Sequence, residues 1–141
     1  MLIYGICISD INTLNEEKAE KYLEELLNTS CRDIANNYFE NKKDGTDIND
    51  WLYDYESEGH YGLAACLRDI IKEMEKIDIE CDEPDGIDYL GISADVPWNF
   101  NYKTKTLSEE KFHNILRKYV SNFTDETLTI RWWNVLDSGD Y

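Results

Sequence analysis

Residues 77–86 read IDIECDEPDG, a strand pattern followed by a turn pattern. Apolar and acidic residues alternate from Ile77 to Cys81, which is typical of a strand with one buried face. The turn Pro84-Asp85-Gly86 places proline and glycine where a β-turn prefers them. Because residues 87–94 have the composition of a return strand, the sequence predicts a β-hairpin near the middle of the chain.

The remaining elements are predicted outward from this hairpin. Residues 2–8 are apolar on both faces, which favours an interior strand, and residues 128–135 predict a last strand. Helical spacing of apolar residues recurs over residues 19–27, 31–39, 48–55, 63–74 and 112–123. This order predicts one α+β domain over residues 1–141, with an antiparallel four-stranded sheet. The strands would follow a ferredoxin-like β-α-β-β-α-β order, with extra helices inserted after strand 1.

Two helix starts carry a capping-box pattern, Thr13 with Glu16 and Thr106 with Glu109. In this pattern the threonine hydroxyl accepts a hydrogen bond from the third helical N–H group. We therefore expect both threonines to be N-caps.

Acidic residues are concentrated in residues 44–102. This stretch holds sixteen acidic and three basic residues, so it carries −13 of the chain's net charge of −16. A field of this sign repels nucleic-acid phosphates and anionic lipids and attracts basic proteins. A second explanation of the acidic composition is solubility alone, because many soluble proteins are acidic for that reason.

Motifs for metal, cofactor or membrane chemistry are missing from the sequence. The four cysteines are far apart and form no CxxC pair, which favours buried free thiols in a reducing compartment. The sequence contains no phosphate-binding glycine loop, hydrolase motif, signal peptide or long apolar run. We therefore expect a cytoplasmic protein without metal, cofactor, direct nucleic-acid contact or membrane contact.

The candidate partner-binding residues lie on two predicted elements. The inserted helix and the loop after it contribute Asp47, Asp50, Tyr53, Asp54, Glu56 and Glu58. The hairpin contributes Asp78, Glu80, Asp82, Glu83 and Asp85. Tyrosine is included because it is favoured at protein interfaces, and the carboxylates because they can stand in for backbone phosphates.

This pattern favours an acidic protein-binding inhibitor that blocks a basic nucleic-acid-binding effector or nuclease. Phage-encoded inhibitors of host defence, including anti-CRISPR proteins, and toxin-immunity proteins often have this size and charge. The abundance of asparagine, isoleucine and lysine indicates an AT-rich genome, in keeping with a phage or mobile element. The expected location is then the cytoplasm of the host cell.

A small-molecule site is the main alternative. A nucleotide-binding protein or enzyme would use His60 and Tyr61, at a glycine-flanked helix start, together with Trp98. A third possibility is an ordinary acidic domain that acts through an oligomer interface. The sequence favours a binding protein over an enzyme, because neither His60 nor His113 has a convincing catalytic partner.

Overall fold

The structure of the protein is a computed structural model that describes residues 2–42, 48, 54–94 and 107–135. Over these residues the chain forms a small α+β domain with four α-helices and a four-stranded antiparallel sheet. The helices are α1 (Glu16–Leu26), α2 (Arg32–Asn41), α3 (Gly62–Glu75) and α4 (Glu109–Val120). The strands are β1 (Leu2–Cys7), β2 (Glu56–Ser57), β3 (His60–Tyr61), β4 (Glu80–Asp82), β5 (Tyr89–Ala94) and β6 (Arg131–Asn134).

Four of these strands form the main sheet, in the order β4-β5-β1-β6. Every neighbouring pair is antiparallel, and Gly5 of β1 lies opposite Gly91 of β5 and Arg131 of β6. The two outer strands, β4 and β6, are the shortest of the four. The sequence prediction that residues 2–8 form an interior strand is confirmed, with the strand ending at Cys7.

The two facing glycines allow β1 and β5 to approach closely. A Cβ atom on Gly5 would lie 2.1 Å from the carbonyl oxygen of Leu90, and one on Gly91 would lie 2.3 Å from that of Tyr4. The indole Nε1 of Trp133 donates to the carbonyl of Gly5 at 2.9 Å. The indole thus makes a cross-strand contact at the position where the central strands carry no side chain.

The helices cover the sheet face that carries Tyr4 and Ile6. The Tyr4 ring lies 6.2 Å from that of Phe112 in α4, measured between centroids. At the centre is α3, whose buried residues include Ala65, Cys66, Leu67, Ile70 and Ile71. Complete burial of a leucine or isoleucine side chain contributes about 1.5–3 kcal/mol, which makes α3 a main source of stability. The predicted core helix over residues 63–74 is therefore confirmed.

A small second sheet was not predicted. Strands β2 and β3 pair as an antiparallel ribbon directly before α3. Glu58 and Gly59 form its turn with φ values of 53° and 81°. Positive φ at both central residues is the geometry of a tight two-residue hairpin turn.

Several predicted boundaries were wrong: the strand predicted over residues 87–94 begins at Tyr89, and the last strand, predicted over residues 128–135, is Arg131–Asn134. Ile77 to Ile79 precede β4 rather than forming part of it, although Ile79 is fully buried. Asn15, not Thr13, caps α1, because its side chain accepts from the amide of Lys18. The Thr13 amide instead donates to Glu126, which holds residue 13 in the loop before the helix.

The start of α4 also differs from the prediction. Ser108 is its N-cap and accepts from the amide of Lys111 at 3.1 Å. Thr106, the predicted cap, lies outside the described residues.

Candidate protein-binding surface

The first part of the candidate surface is the β2–β3 ribbon together with Asp54, which precedes it. Asp54, Glu56 and Glu58 are all exposed. The Glu56 carboxylate accepts the Gly59 amide at 3.1 Å, which holds the turn in shape. The other residues predicted here, Asp47, Asp50 and Tyr53, lie outside the described residues.

The second part is the loop and hairpin that follow α3. Asp78, Glu80, Glu83 and Asp85 are exposed, and Asp82 is half-buried. The turn is a short 3-10 helix, Pro84–Gly86, in which Asp85 adopts a φ of 56°. We call these carboxylates, together with those of the ribbon, the ribbon–hairpin surface, which comprises Asp54, Glu56, Glu58, Asp78, Glu80, Asp82, Glu83 and Asp85.

Arg68 of α3 joins the ribbon to the hairpin. Its side chain is only 5% exposed. Nη2 donates to the carbonyl of Ser57 in β2 at 3.0 Å, and Nη1 lies 3.4 Å from Sγ of Cys81 in β4. The guanidinium also pairs with Asp69, which accepts the Tyr55 hydroxyl at 2.6 Å. One buried cation therefore contacts both strands.

The ribbon and the hairpin also line a common crevice. His60 and Tyr61 line a crevice whose opposite side includes Asp82, Glu83 and Asp88. The crevice is too narrow to admit a water molecule. The two acidic segments are thus neighbours in space, although more than twenty residues separate them along the chain.

The carboxylates of the ribbon–hairpin surface form no ion pair with any described residue. The ion pairs recorded among the described residues involve other acids, for example Asp69 with Arg68 and Glu73 with Lys76. Burial, followed by the nearby charge of Glu83, raises the pKa of Asp88 beside the crevice. His60 of the ribbon acts in the opposite direction and lowers the pKa of Asp88, so the charges of the two segments act on one another at the crevice.

This arrangement suits the binding of cationic groups. A lysine or arginine that comes within about 4 Å of one carboxylate gains about 1 kcal/mol in water, and more as water is excluded. Several adjacent carboxylates add their fields, so a row of basic side chains is the best-matched ligand. No cation in the described part of the chain forms an ion pair with these exposed acids.

Two residues of this region were missed by sequence reasoning. Arg68 was counted only as one of three basic residues in an acidic stretch, and Asp88 was not included among the partner-binding residues. A signal for Arg68 existed, since it is the only arginine from Asp44 to Tyr102 and lies within an otherwise apolar helix segment. Its contacts with Ser57 and Cys81 could not be inferred, because these residues lie on segments outside its own helix.

The alternative small-molecule site is described only in part. His60 is half-buried and Tyr61 is 53% exposed, and both lie on β3 as neighbours of the α3 start. Trp98 lies outside the described residues. In the ranges that the structure describes, no group of three or more metal-ligating side chains is arranged to hold an ion.

The helices of the described ranges are all too short or too polar to cross a lipid bilayer. No protein-family model matches the chain, and no match was found among curated proteins or solved structures.

Proposed function

We propose that this chain is an acidic protein-binding inhibitor, encoded by a phage or mobile element, that blocks a basic nucleic-acid-binding target. The ribbon–hairpin surface would occupy the positive groove of an effector or nuclease and place carboxylates where phosphates bind. The host defence machinery, including CRISPR effectors, is the class of target that fits, and the cytoplasm of the host cell is where they would meet.

The observation that carries this proposal is the unpaired state of the exposed carboxylates on two adjoining segments. Surface acids on ordinary domains are commonly interspersed with lysine and arginine. Here, the nearest basic side chain to both segments, Arg68, is buried and engaged with Asp69. No described cation forms an ion pair with these carboxylates, and the cationic charge that acts on Glu58 is that of the buried Arg68.

We also infer that the sheet has the ferredoxin-like arrangement. The order β4-β5-β1-β6 puts β5 between β1 and β4, and puts β1 between β5 and β6. Each β-α-β unit is thus split by one strand, as the split βαβ pattern requires. The ribbon, α1 and α2 are then the insertion after the first strand.

A capture experiment with charge-reversed variants tests the proposal. Immobilised protein would be incubated with host lysate at about 50 mM and about 500 mM salt, because screening weakens exposed charge pairs. Glu56→Lys/Glu58→Lys and Glu83→Lys/Asp85→Lys should each reduce capture of a basic partner. Added nucleic acid should release the captured partner, since nucleic acid and this protein would compete for the same groove of that partner.

The control variant is Glu24→Lys/Glu25→Lys on α1, which changes the net charge equally at exposed positions elsewhere. If this control reduces capture as much as the ribbon and hairpin variants, only overall charge matters and the proposed surface is wrong. Unchanged capture by both surface variants would also reject the proposal.

A further inference from the structure

A cavity of 220 Å³ opens on another part of the molecule, between the C-terminal half of α4, the start of α1 and the segment before β6. Its apolar wall is formed by Ile6, Leu116, Val120, Leu128 and Ile130. An apolar cavity of about 150 Å³ is enough to hold a benzene-sized molecule. This cavity therefore has room for a ring or a branched chain with a short substituent.

The acids at the rim of this cavity are already engaged. Asp125 accepts from the Asn15 amide group at 2.9 Å and from Lys18 at 3.3 Å, and these contacts lower its pKa. Glu126 accepts from the backbone amides of Thr13 and Asn12 at 2.7 and 3.0 Å, which lowers its pKa as well. Both carboxylates are thus fixed by neighbours from the loop before α1.

Backbone carbonyls at the C-terminal end of α4, beside the cavity, also accept hydrogen bonds. The amides of Phe123 and Thr124 donate to the carbonyl of Val120, and the Ser121 amide donates to the carbonyl of Arg117. A helix C-terminus carries partial negative charge on unpaired carbonyls, so this capping reduces its repulsion of an anion.

Arg117 is the remaining charged group of the rim. It lines the cavity, is exposed, and forms no ion pair with a described residue. Its guanidinium can bind a carboxylate through two parallel hydrogen bonds.

We propose that this cavity binds a small organic carboxylate, with the apolar body against Val120 and Leu128 and the carboxylate on Arg117. Arg117 selects the anion, because Lys18 is already paired with Asp125 and the Glu126 carboxylate is held by the backbone amides of the loop before α1. The site is separate from the ribbon–hairpin surface, which lies at the β4 side of the sheet, and it stands whether or not that surface binds a basic protein.

The test is an NMR titration of the full-length ¹⁵N-labelled protein with 3-phenylpropionate and with its neutral amide. A ligand of this size is expected to bind with a Kd on the order of 1 mM. Amide signals of cavity residues, including Val120, Ser121 and Thr127, should shift in a saturable way. The acid should bind about tenfold more tightly than the amide, because only the acid forms a charge-assisted pair.

Variants locate the site. Arg117→Gln should remove the preference for the acid, whereas Lys111→Gln, which removes one charge from an exposed position on the same helix, should keep it. Thr127→Trp, at an exposed rim position, should block binding of both probes without disturbing the core. Equal affinity for acid and amide, shifts outside the cavity, or binding that Arg117→Gln leaves unchanged would each overturn the proposal.

Discussion

Replacing Arg68 by methionine should destabilise the protein and loosen the ribbon, although no surface carboxylate is changed. Methionine keeps much of the apolar volume of the arginine stem but loses the bonds to Ser57 and Asp69. Removing one partner from a buried ion pair typically costs about 3–5 kcal/mol. Asp69 is 21% exposed and keeps its bond from Tyr55, so we expect the lower end, about 3 kcal/mol.

Urea unfolding followed by circular dichroism measures this loss of stability. Asp69→Asn and the double variant complete a cycle, in which the two groups should couple by about 1–2 kcal/mol. Hydrogen exchange at the Gly62 amide, which donates to the Tyr55 carbonyl at 2.9 Å, should become faster as the ribbon loosens. The control Lys72→Met removes an exposed cation from the same helix and should change stability by less than about 0.5 kcal/mol.

Two results would refute this reasoning. A loss below about 0.5 kcal/mol for Arg68→Met would mean that the buried guanidinium contributes no more than a surface residue. Strict additivity with Asp69→Asn would mean that the two groups do not interact. If the reasoning holds, the variant should also capture the proposed basic partner less well.

The remaining predictions concern backbone packing and pH. Gly5→Ala should lower stability by more than about 3 kcal/mol, or prevent folding, because the new Cβ meets the Leu90 carbonyl at 2.1 Å. Gly86→Ala is the matched control, since its Cβ would meet nothing and only the positive φ costs about 1 kcal/mol; equal losses in thermal unfolding would contradict the packing argument. Burial and Glu83 raise the pKa of Asp88, so folding favours its protonated form and stability falls as pH rises through the folded pKa. Asp88→Asn should therefore stabilise by about 0.5 kcal/mol at pH 7, with the gain vanishing below about pH 4, and a pH-independent effect in urea titrations would exclude this linkage.

The elements with strong local patterns could be predicted from the sequence. The apolar residues on both faces of β1 required burial on both sides, and the stripe of α3 required a helix against the core. The extent of β4 could not be predicted from alternation alone. Ile79 is buried as the alternation requires, yet it lies before the paired residues, because burial of a side chain does not require pairing of its backbone.

The β2–β3 ribbon could not be predicted from the sequence. Each of its strands has two residues, and its turn places Glu58 at positive φ, a conformation that glutamate seldom adopts. The acids of the surface could be listed from the sequence, but the proximity of the ribbon to the hairpin could not be predicted. It depends on contacts of Arg68 with residues 11 and 13 positions away and on the crevice beside His60.

Arg68 also changes what the charge count means. Of the three basic residues in residues 44–102, Arg68 is neutralised inside the domain, whereas Lys72 and Lys76 lie at the C-terminal end of α3. The ribbon joins α3 at its N-terminal end, so neither lysine offsets its carboxylates along the helix. At this end of the helix the cation that acts on the ribbon carboxylate Glu58 is the buried guanidinium of Arg68. Arg68 is therefore one of three basic residues that offset the negative charge of the stretch, and it also contacts both acidic segments.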